Sequence, residues 1–196
     1  MNYLGHLILS GENEDIIFGN FIGDAIKGKN YNNWTQNIQN GITLHRFIDS
    51  YTDSHKAYLN SKRYFYKSFP KMGGIITDIL YDYLLWRNWK QHNVKNPQHL
   101  INNFYKTIDS RTEMLPKKMI PLYNIMKKDK WLTSYKHDKG IISALTKFGI
   151  RIGYADNLGL AFDLYKENIT LFNDDFNTFF SDISSESKSF IRNINI

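Results

Sequence analysis

The sequence predicts an all-α protein, folded as a single compact helical domain over residues 1–196. Three observations support this prediction. Strict alternation of apolar and polar residues, which marks β-strands, is nearly absent, whereas apolar residues recur at helical spacing along most of the chain. The four prolines stand singly between these amphipathic segments. No repeat, low-complexity tract or long linker divides the sequence.

Amphipathic segments follow one another along the chain, and several carry end signals. Gly28 follows the second segment, in a position that often ends a helix. Asn96 and Pro97 offer an N-cap residue and a proline at the first helical position. Asp138 and Gly140 lie near the start of a later helix and do not define the residue at which it begins. The predicted helices cover about 2–9, 14–28, 34–56, 57–67, 73–92, 97–114, 117–128, 138–152, 156–168 and 170–193.

The composition limits the class of protein. A chain of 196 residues with 42% hydrophobic and 15% aromatic residues builds a substantial core. No apolar run approaches the roughly 20 residues of a membrane span, and the N-terminus lacks the basic region and cleavage site of a signal peptide. We therefore expect a soluble, cytoplasmic protein. The absence of cysteine excludes disulfides and thiolate ligands.

The charge balance favours an anionic partner. The formal net charge is +6 at pH 7. The stretch NSKRYFYKSFPK, residues 60–71, interleaves bases with aromatic rings as single-strand nucleic-acid platforms do. Aromatic residues at helical spacing are more often core, so we do not expect nucleic-acid binding. A second basic cluster, most simply a solvated helix face, contains Lys117, Lys118, Lys127, Lys128 and Lys130.

The segment ITLHRFIDSYTDSHK, residues 42–56, combines two helical patterns. Its apolar face consists of Leu44, Phe47, Ile48 and Tyr51. Beside that face His45, Asp49 and Asp53 follow one another at four-residue spacing. A salt-bridged surface helix would set Lys or Arg against its acids, whereas this helix offers them an imidazole. The pattern is one that a metal site would explain.

Other segments repeat this arrangement of polar residues in apolar surroundings. Asn20 and Asp24 lie one helical turn apart, as do Asp78 and Asp82, and His6 stands in an apolar helix. Buried carboxylates are costly unless they are paired or bind a metal. Helical proteins assemble metal centres from side chains on separate helices, so together these residues indicate such a centre. Without thiolates, it favours Mn²⁺ or Mg²⁺, with Fe or Zn bound through imidazole.

Each residue taken alone also has a structural interpretation. His6 fits a hydrogen-bonded core histidine, and Asp24 fits an ion pair with Lys27 or Arg46. Asp78 fits an acid favoured by a helix dipole, and Asp53 fits a surface residue near a helix end. Other catalytic classes lack their motifs, because the chain has no thiol, no G-x-S-x-G, no Walker loop and no H-E-x-x-H.

Several of these segments resemble the bacterial acyl carrier protein phosphodiesterase family, also called ACP hydrolase. The matching pieces are MNYLGHLILSGENEDIIFGNFIGDAIKG at the N-terminus, IQNGITLHRFIDSYTDSH in the middle and DILYDYLLWRNW after it. Weaker similarity continues through KWLTSY and LFNDDFNTFF, so the resemblance covers nearly the whole chain. The motifs M-N-x-L-x-H-L, G-N-x-x-x-D and H-R-x-I-D-x-x-T-D occur in the family's order and spacing.

The resemblance implies a fold related to the HD-domain phosphohydrolases and an activity dependent on a divalent metal, usually Mn²⁺, with Mg²⁺ or Fe as alternatives. The family's reaction hydrolyses the phosphodiester between 4′-phosphopantetheine and a serine of acyl carrier protein and releases the apo-carrier. An acidic acyl carrier protein is thus the implied partner. The residues that match the family's polar motifs are His6, Asp24, His45, Arg46, Asp49, Asp78 and Asp82.

Roles for these residues follow from the resemblance and their chemistry. The candidate metal ligands are His6, Asp24, His45, Asp49 and Asp82. Arg46 suits phosphate binding through its planar fork, or alternatively an ion pair with Asp49 or Asp53. Asp78 would orient the attacking water or a ligand histidine.

One departure from the family pattern concerns Tyr83, because relatives often carry histidine directly after the acid that Asp82 matches. If that histidine were an essential ligand, activity would be weakened or the metal preference changed. Two alternatives therefore stay open. One is an HD-like phosphohydrolase for a nucleotide or another diester, and the other is a non-catalytic binder of carrier protein or RNA that keeps the fold.

Overall fold

A computed structural model describes residues 2–194, and all regular structure within them is helical. The prediction of an all-α fold is confirmed. The helices are α1 Tyr3–Leu9, α2 Glu14–Ile22, α3 Gln36–Ser54, α4 Lys56–Arg63, α5 Gly73–Asn88, α6 Pro97–Asp109, α7 Ile120–Lys128, α8 Trp131–Ser134, α9 Asp138–Ile152, α10 Ala161–Glu167 and α11 Ile169–Ile194. Short 3₁₀ segments lie at Gly23–Ala25, Thr112–Met114, Lys117–Met119 and Leu158–Leu160.

Helix ends follow the local sequence where a side chain or a glycine satisfies the free backbone groups. The Asn13 side chain accepts hydrogen bonds from the amides of Asp15 and Ile16 at the start of α2. Asn96 accepts one from Gln98 ahead of Pro97, which confirms the predicted start of α6. Gly153, in the left-handed conformation, ends α9.

Several predicted helices are shorter than their apolar patterns. The segment predicted over 14–28 leaves the α-helix at Ile22 and continues as the 3₁₀ turn Gly23–Ala25. The segments predicted over 97–114, 117–128 and 156–168 each contain a 3₁₀ turn at one end. The short α8 was not predicted, because four residues are too few to show a helical period.

The buried apolar side chains form one cluster that runs from Leu4 in α1 to Ile183 in α11. Aromatic rings supply much of it. Phe65 and Phe69, from the basic and aromatic stretch 60–71, are buried, whereas Tyr66 is 48% exposed. Two of the rings in that stretch therefore belong to the core, as their spacing predicted.

Helices α2 and α3 approach each other very closely at a pair of glycines. A Cβ atom on Gly19 would lie 2.2 Å from the carbonyl oxygen of Ile38, and one on Gly41 would lie 2.3 Å from that of Ile16. Only glycine permits backbones to pack at this separation. The contact brings Asn20 of α2 beside His45 of α3.

None of the helices within residues 2–194 combines the length and the apolar composition that a membrane crossing requires.

Candidate metal centre

A polar cavity of about 330 Å³ opens where α1, the turn after α2, α3, α4 and α5 meet. Four of the seven residues predicted from the sequence converge on one part of it. Two tyrosines and two further acids line the same cavity. The lining residues are Asn2, Tyr3, His6, Asp24, His45, Asp49, Thr52, Asp53, Tyr58 and Asp78.

The two histidines share the Asp49 carboxylate. His6 Nε2 lies 3.1 Å from Asp49 Oδ1, and His45 Nε2 lies 3.1 Å from Asp49 Oδ2. His45 Nε2 is also 3.1 Å from Asp24 Oδ1. The imidazole rings lie side by side with centroids 4.4 Å apart. Both histidines are buried, whereas the side chains of Asp24 and Asp49 are 58% and 45% exposed, so the cluster faces the cavity with its carboxylates.

The local chain path explains why Asp24 reaches His45. A Cβ atom on Gly23 would lie 2.4 Å from Cγ of the His45 ring. Glycine at this position allows the ring to pack directly against the backbone, where α2 has changed to a 3₁₀ turn. The carboxylate of Asp24, the next residue in that turn, therefore lies 3.1 Å from His45 Nε2.

Asn20 fixes the protonation of both rings. His6 Nδ1 and His45 Nδ1 lie 2.9 Å and 3.1 Å from the same Asn20 Oδ1. Asn20 Nδ2 donates to Ser10 Oγ and to the His6 carbonyl oxygen, which fixes Oδ1 as the atom facing the rings. An amide oxygen only accepts, so each Nδ1 carries a proton and donates it. Asn20 lies one helical turn before Asp24 in the sequence, and nothing in the sequence indicates that it contacts both histidines.

Opposing effects set the pKa values of the cluster. Burial lowers the pKa of His6, and the contact with the Asp49 carboxylate offsets only part of that effect. Burial also acts to lower the pKa of His45, but Asp24 and Asp49 outweigh it and raise that pKa to about 9. The pKa values of the carboxyls are lowered, for Asp24 by its hydrogen bond to His45, and for Asp49 by both histidines against the opposing effect of burial.

These residues fit a divalent cation. Donor atoms of His6, His45 and Asp49 lie within 4.8 Å of one another. A neutral His6 that donates from Nδ1 to Asn20 turns the lone pair of Nε2 toward an oxygen of Asp49, so two electron-rich atoms face each other at 3.1 Å. His6 and Asp49 would hold a cation here, and its charge would satisfy both atoms. Asn20 would then be the outer partner that orients both rings.

Asp82 does not join these four residues. It is fully buried, and its oxygens accept hydrogen bonds from the backbone amides of Leu4 at 3.0 Å and Gly5 at 2.9 Å. Burial raises the pKa of Asp82 to about 7, against the effect of these two bonds. Asp82 is not among the residues that line the cavity. We therefore do not propose Asp82 as a metal ligand. Its role is to accept hydrogen bonds from the first amides of α1, the helix that contains His6.

Substituting Asn for Asp82 is expected to lower the free energy of unfolding by about 1–3 kcal/mol. The amide nitrogen of Asn cannot accept a hydrogen bond, so one of the two backbone donors of α1 would lose its partner. Urea denaturation measures the effect. Asp174→Asn, an exposed position on α11, serves as the matched control. Equal stability of the two variants would contradict the assignment of Asp82 to α1.

The two residues predicted to act on substrate lie in different places. Asp78 lines the cavity and accepts a hydrogen bond of 2.7 Å from the Tyr58 hydroxyl. Arg46 is directed away from the lining, because its guanidinium donates to the Ile26 carbonyl oxygen at 3.0 Å and lies over the Tyr31 ring. Arg46 thus ties the segment that follows Asp24 to α3.

Tyr83, the departure from the family pattern, lies outside the cavity lining. It is 3% exposed, and its hydroxyl donates to Asp138 at 2.7 Å. The ring packs against Phe162 and Tyr165. Tyr83 therefore contributes to the contact of α5 with α9 and α10.

Comparison with known proteins gives a consistent result. A family model described as acyl carrier protein phosphodiesterase matches residues 1–183. A protein of that name from Pectobacterium atrosepticum is 29% identical over 152 residues, which cover 77% of this chain and 79% of the relative. Those from Shigella boydii serotype 18 and Escherichia coli O6:H1 are 28% and 27% identical, covering 69% and 77% of this chain and 71% and 79% of theirs.

No solved structure matches the chain, so the likeness to HD-domain proteins stays a prediction. The family match is independent of that likeness. It extends over all the helices that build the cavity, from α1 to α5, and over most of the remaining chain. The chain belongs to the acyl carrier protein phosphodiesterase family.

Proposed function

We propose that the chain is a metal-dependent phosphodiesterase that removes 4′-phosphopantetheine from holo-acyl carrier protein and leaves the apo-carrier. One observation supports the metal dependence. Both histidines donate from Nδ1 to Asn20, and both Nε2 atoms face carboxylate oxygens. Membership of the family supports the substrate.

His6, His45 and Asp49 would hold the ion, and Asp24 adds a fourth ligand or orients His45. Mn²⁺ is the proposed ion, with Mg²⁺ or Fe as alternatives, because the donor set mixes imidazole with carboxylate. When bound, the ion supplies charge to neutralise phosphoryl oxygens and lowers the pKa of a bound water.

Other side chains of the cavity offer hydrogen bonds and charge that suit a phosphodiester. Asp78 and Tyr58 form a hydrogen-bonded pair in the same lining, suited to orient a water or the leaving group. The hydroxyl of Thr52 is buried and has no hydrogen-bond partner among the described residues, which leaves it free to donate to a ligand oxygen. Lys118 donates to the backbone carbonyl of Asp24 and adds positive charge at the rim.

Mass analysis tests the proposal directly. Holo-acyl carrier protein incubated with this protein and Mn²⁺ should lose the mass of the 4′-phosphopantetheine group, and a sample treated with a chelator should not. An unchanged carrier mass, with the ion bound and the fold intact, would contradict the substrate. Assays on nucleotides would then test the broader phosphohydrolase alternative, and a purified protein that binds no ion would favour a non-catalytic binder.

Binding of the ion is expected to release about one proton at pH 7 and to weaken about tenfold for each pH unit below about 9. His45 is the source, because its pKa is raised to about 9 and its Nε2 must be deprotonated to act as a ligand. His6, whose pKa is lowered, adds no proton.

Titration calorimetry in buffers of different ionisation enthalpy measures the number of protons released. The affinity must rise with pH, since protons and the ion compete for the same nitrogen. Proton release near zero at pH 7, or an affinity independent of pH between 6.5 and 8.5, would contradict His45 as a ligand in that state.

A further inference from the structure

A second, mainly apolar groove of about 300 Å³ runs between α7, α8 and α9. Its apolar wall consists of Ile125, Trp131, Ala144 and Phe148. Ile125 is 52% exposed, so a large apolar side chain faces solvent at the groove. An apolar wall with a few polar groups is typical of small-ligand sites.

The groove adjoins the candidate metal centre. Tyr3 lines the cavity of that centre, and its ring lies against the Trp131 ring with 6.0 Å between centroids. Trp131 in turn lines the groove. One pair of neighbouring aromatic rings therefore belongs to the linings of both spaces.

Charged groups of both spaces influence the Tyr3 hydroxyl. Burial raises the pKa of this hydroxyl to about 12, Asp24 and Asp49 act in the same direction, and Arg151, which lines the groove, acts in the opposite one.

The polar part of the groove contains Lys147, Arg151 and Asp129, and its net charge is one positive unit. Arg151 lies over the Phe148 ring at 5.0 Å, and Lys147 pairs with Asp129 at 3.4 Å. Both cations line the groove. The amides and methyl groups of a flexible ligand would meet polar and apolar surface together in this groove.

We propose that this groove binds the 4′-phosphopantetheine arm of the carrier protein during hydrolysis. The arm is a flexible chain with a phosphodiester at one end, a dimethyl group, two amides and a terminal thiol. With the phosphodiester at the metal centre, the arm passes the rings of Tyr3 and Trp131 and lies along α9. This inference rests on the proposed function and adds the place where its substrate binds.

The absence of cysteine from the chain permits a direct test by disulfide trapping. Ser143, an exposed residue of α9 that lines the groove, is replaced by Cys to give the protein a single thiol. That thiol is first converted to a mixed disulfide with 5-thio-2-nitrobenzoate. The thiolate of holo-carrier attacks the protein sulfur, forms an enzyme–carrier disulfide and expels coloured thionitrobenzoate. A chelator keeps the arm attached to the carrier throughout.

Ser185→Cys, exposed on α11 and outside the groove, is the matched control. Cysteamine measures the intrinsic reactivity of each mixed disulfide, and apo-carrier, which has no arm, measures the background. After normalisation to cysteamine, holo-carrier should react at least about tenfold faster with Ser143→Cys than with Ser185→Cys, which corresponds to about 1.4 kcal/mol of local binding. A ratio near one would overturn the proposal.

A bulky substitution tests the groove during turnover. Ser143→Trp should raise KM for holo-carrier about tenfold. Ser185→Trp should leave KM as in the parent protein. An unaltered KM in Ser143→Trp would refute the groove and leave the proposed function standing. A parent protein that never releases 4′-phosphopantetheine would refute the function, whatever the trapping shows.

Discussion

Asp49→Asn is expected to reduce kcat/KM for holo-carrier by more than about 100-fold, since loss of a mere outer partner of a metal ligand typically costs 10–100-fold. Asp49 is the carboxylate that both histidines share, at 3.1 Å from each Nε2. The substitution keeps the size of the side chain and replaces one oxygen by a nitrogen that cannot bind a cation. His45→Asn should produce a loss of the same order.

Folding should be affected much less than activity in both variants. Without the Asp49 carboxylate, buried His45 keeps Asp24 as a partner at 3.1 Å, so we expect a change within the roughly 0.5–3 kcal/mol common for single substitutions. Urea denaturation and bound Mn²⁺ are measured beside the steady-state rates. Asp163→Asn and His99→Asn, both exposed and outside the cavity, are the matched controls. Parallel losses of stability and activity would support a core histidine cluster instead of a metal centre.

The sequence predicted the class of fold because helical periodicity is local. Apolar spacing placed α9 over the observed range Asp138–Ile152, and the signals at Asn96 and Pro97 placed the start of α6. The end of α2 was not predictable in the same way. Its helical pattern continues past Ile22, but the His45 ring packs where a Cβ atom of Gly23 would lie, a contact between residues far apart in sequence.

The candidate site shows the same division between local and distant information. His45 and Asp49 stand at four-residue spacing on one helix, and the structure places their side chains in contact. His6 and Asp24 came from other segments, matched to the family's motifs, and they too reach this cluster. Asp82 also stands in an apolar helix among motif residues, and nothing in its own neighbourhood shows that it binds the amides of α1.

Arg46 and Asn20 complete this comparison. Both have side chains whose chemistry suits several roles, phosphate binding or a backbone contact for Arg46, and ligand or outer partner for Asn20. Sequence alone leaves the choice open, because the choice depends on which groups the fold brings within about 3 Å. The structure directs Arg46 to the Ile26 carbonyl and Asn20 to both histidines.

Raising the salt concentration from 50 to 500 mM is expected to lower kcat/KM for holo-carrier about tenfold or more, with kcat nearly unchanged. The chain carries a formal +6, so we expect long-range attraction to accelerate its encounter with an acidic carrier protein. The Debye length shrinks from about 10 Å at 0.1 M toward about 3 Å at 1 M, which screens that attraction. Chemistry within the bound complex depends little on it.

We expect this attraction to act at Lys117 and Lys118. Lys118 donates to the Asp24 carbonyl oxygen at 3.0 Å, which places the exposed pair Lys117 and Lys118 beside the metal cavity. Lys117→Glu, alone or with Lys118→Glu, should therefore imitate high salt and flatten the remaining salt dependence. Lys188→Glu makes the same charge change in a separate groove beside Glu12 and should reduce kcat/KM much less. If all three variants behave alike, the attraction comes from overall charge and not from a docking surface at the cavity; if salt has no effect with the ion bound, electrostatic steering plays no part in recognition of the carrier.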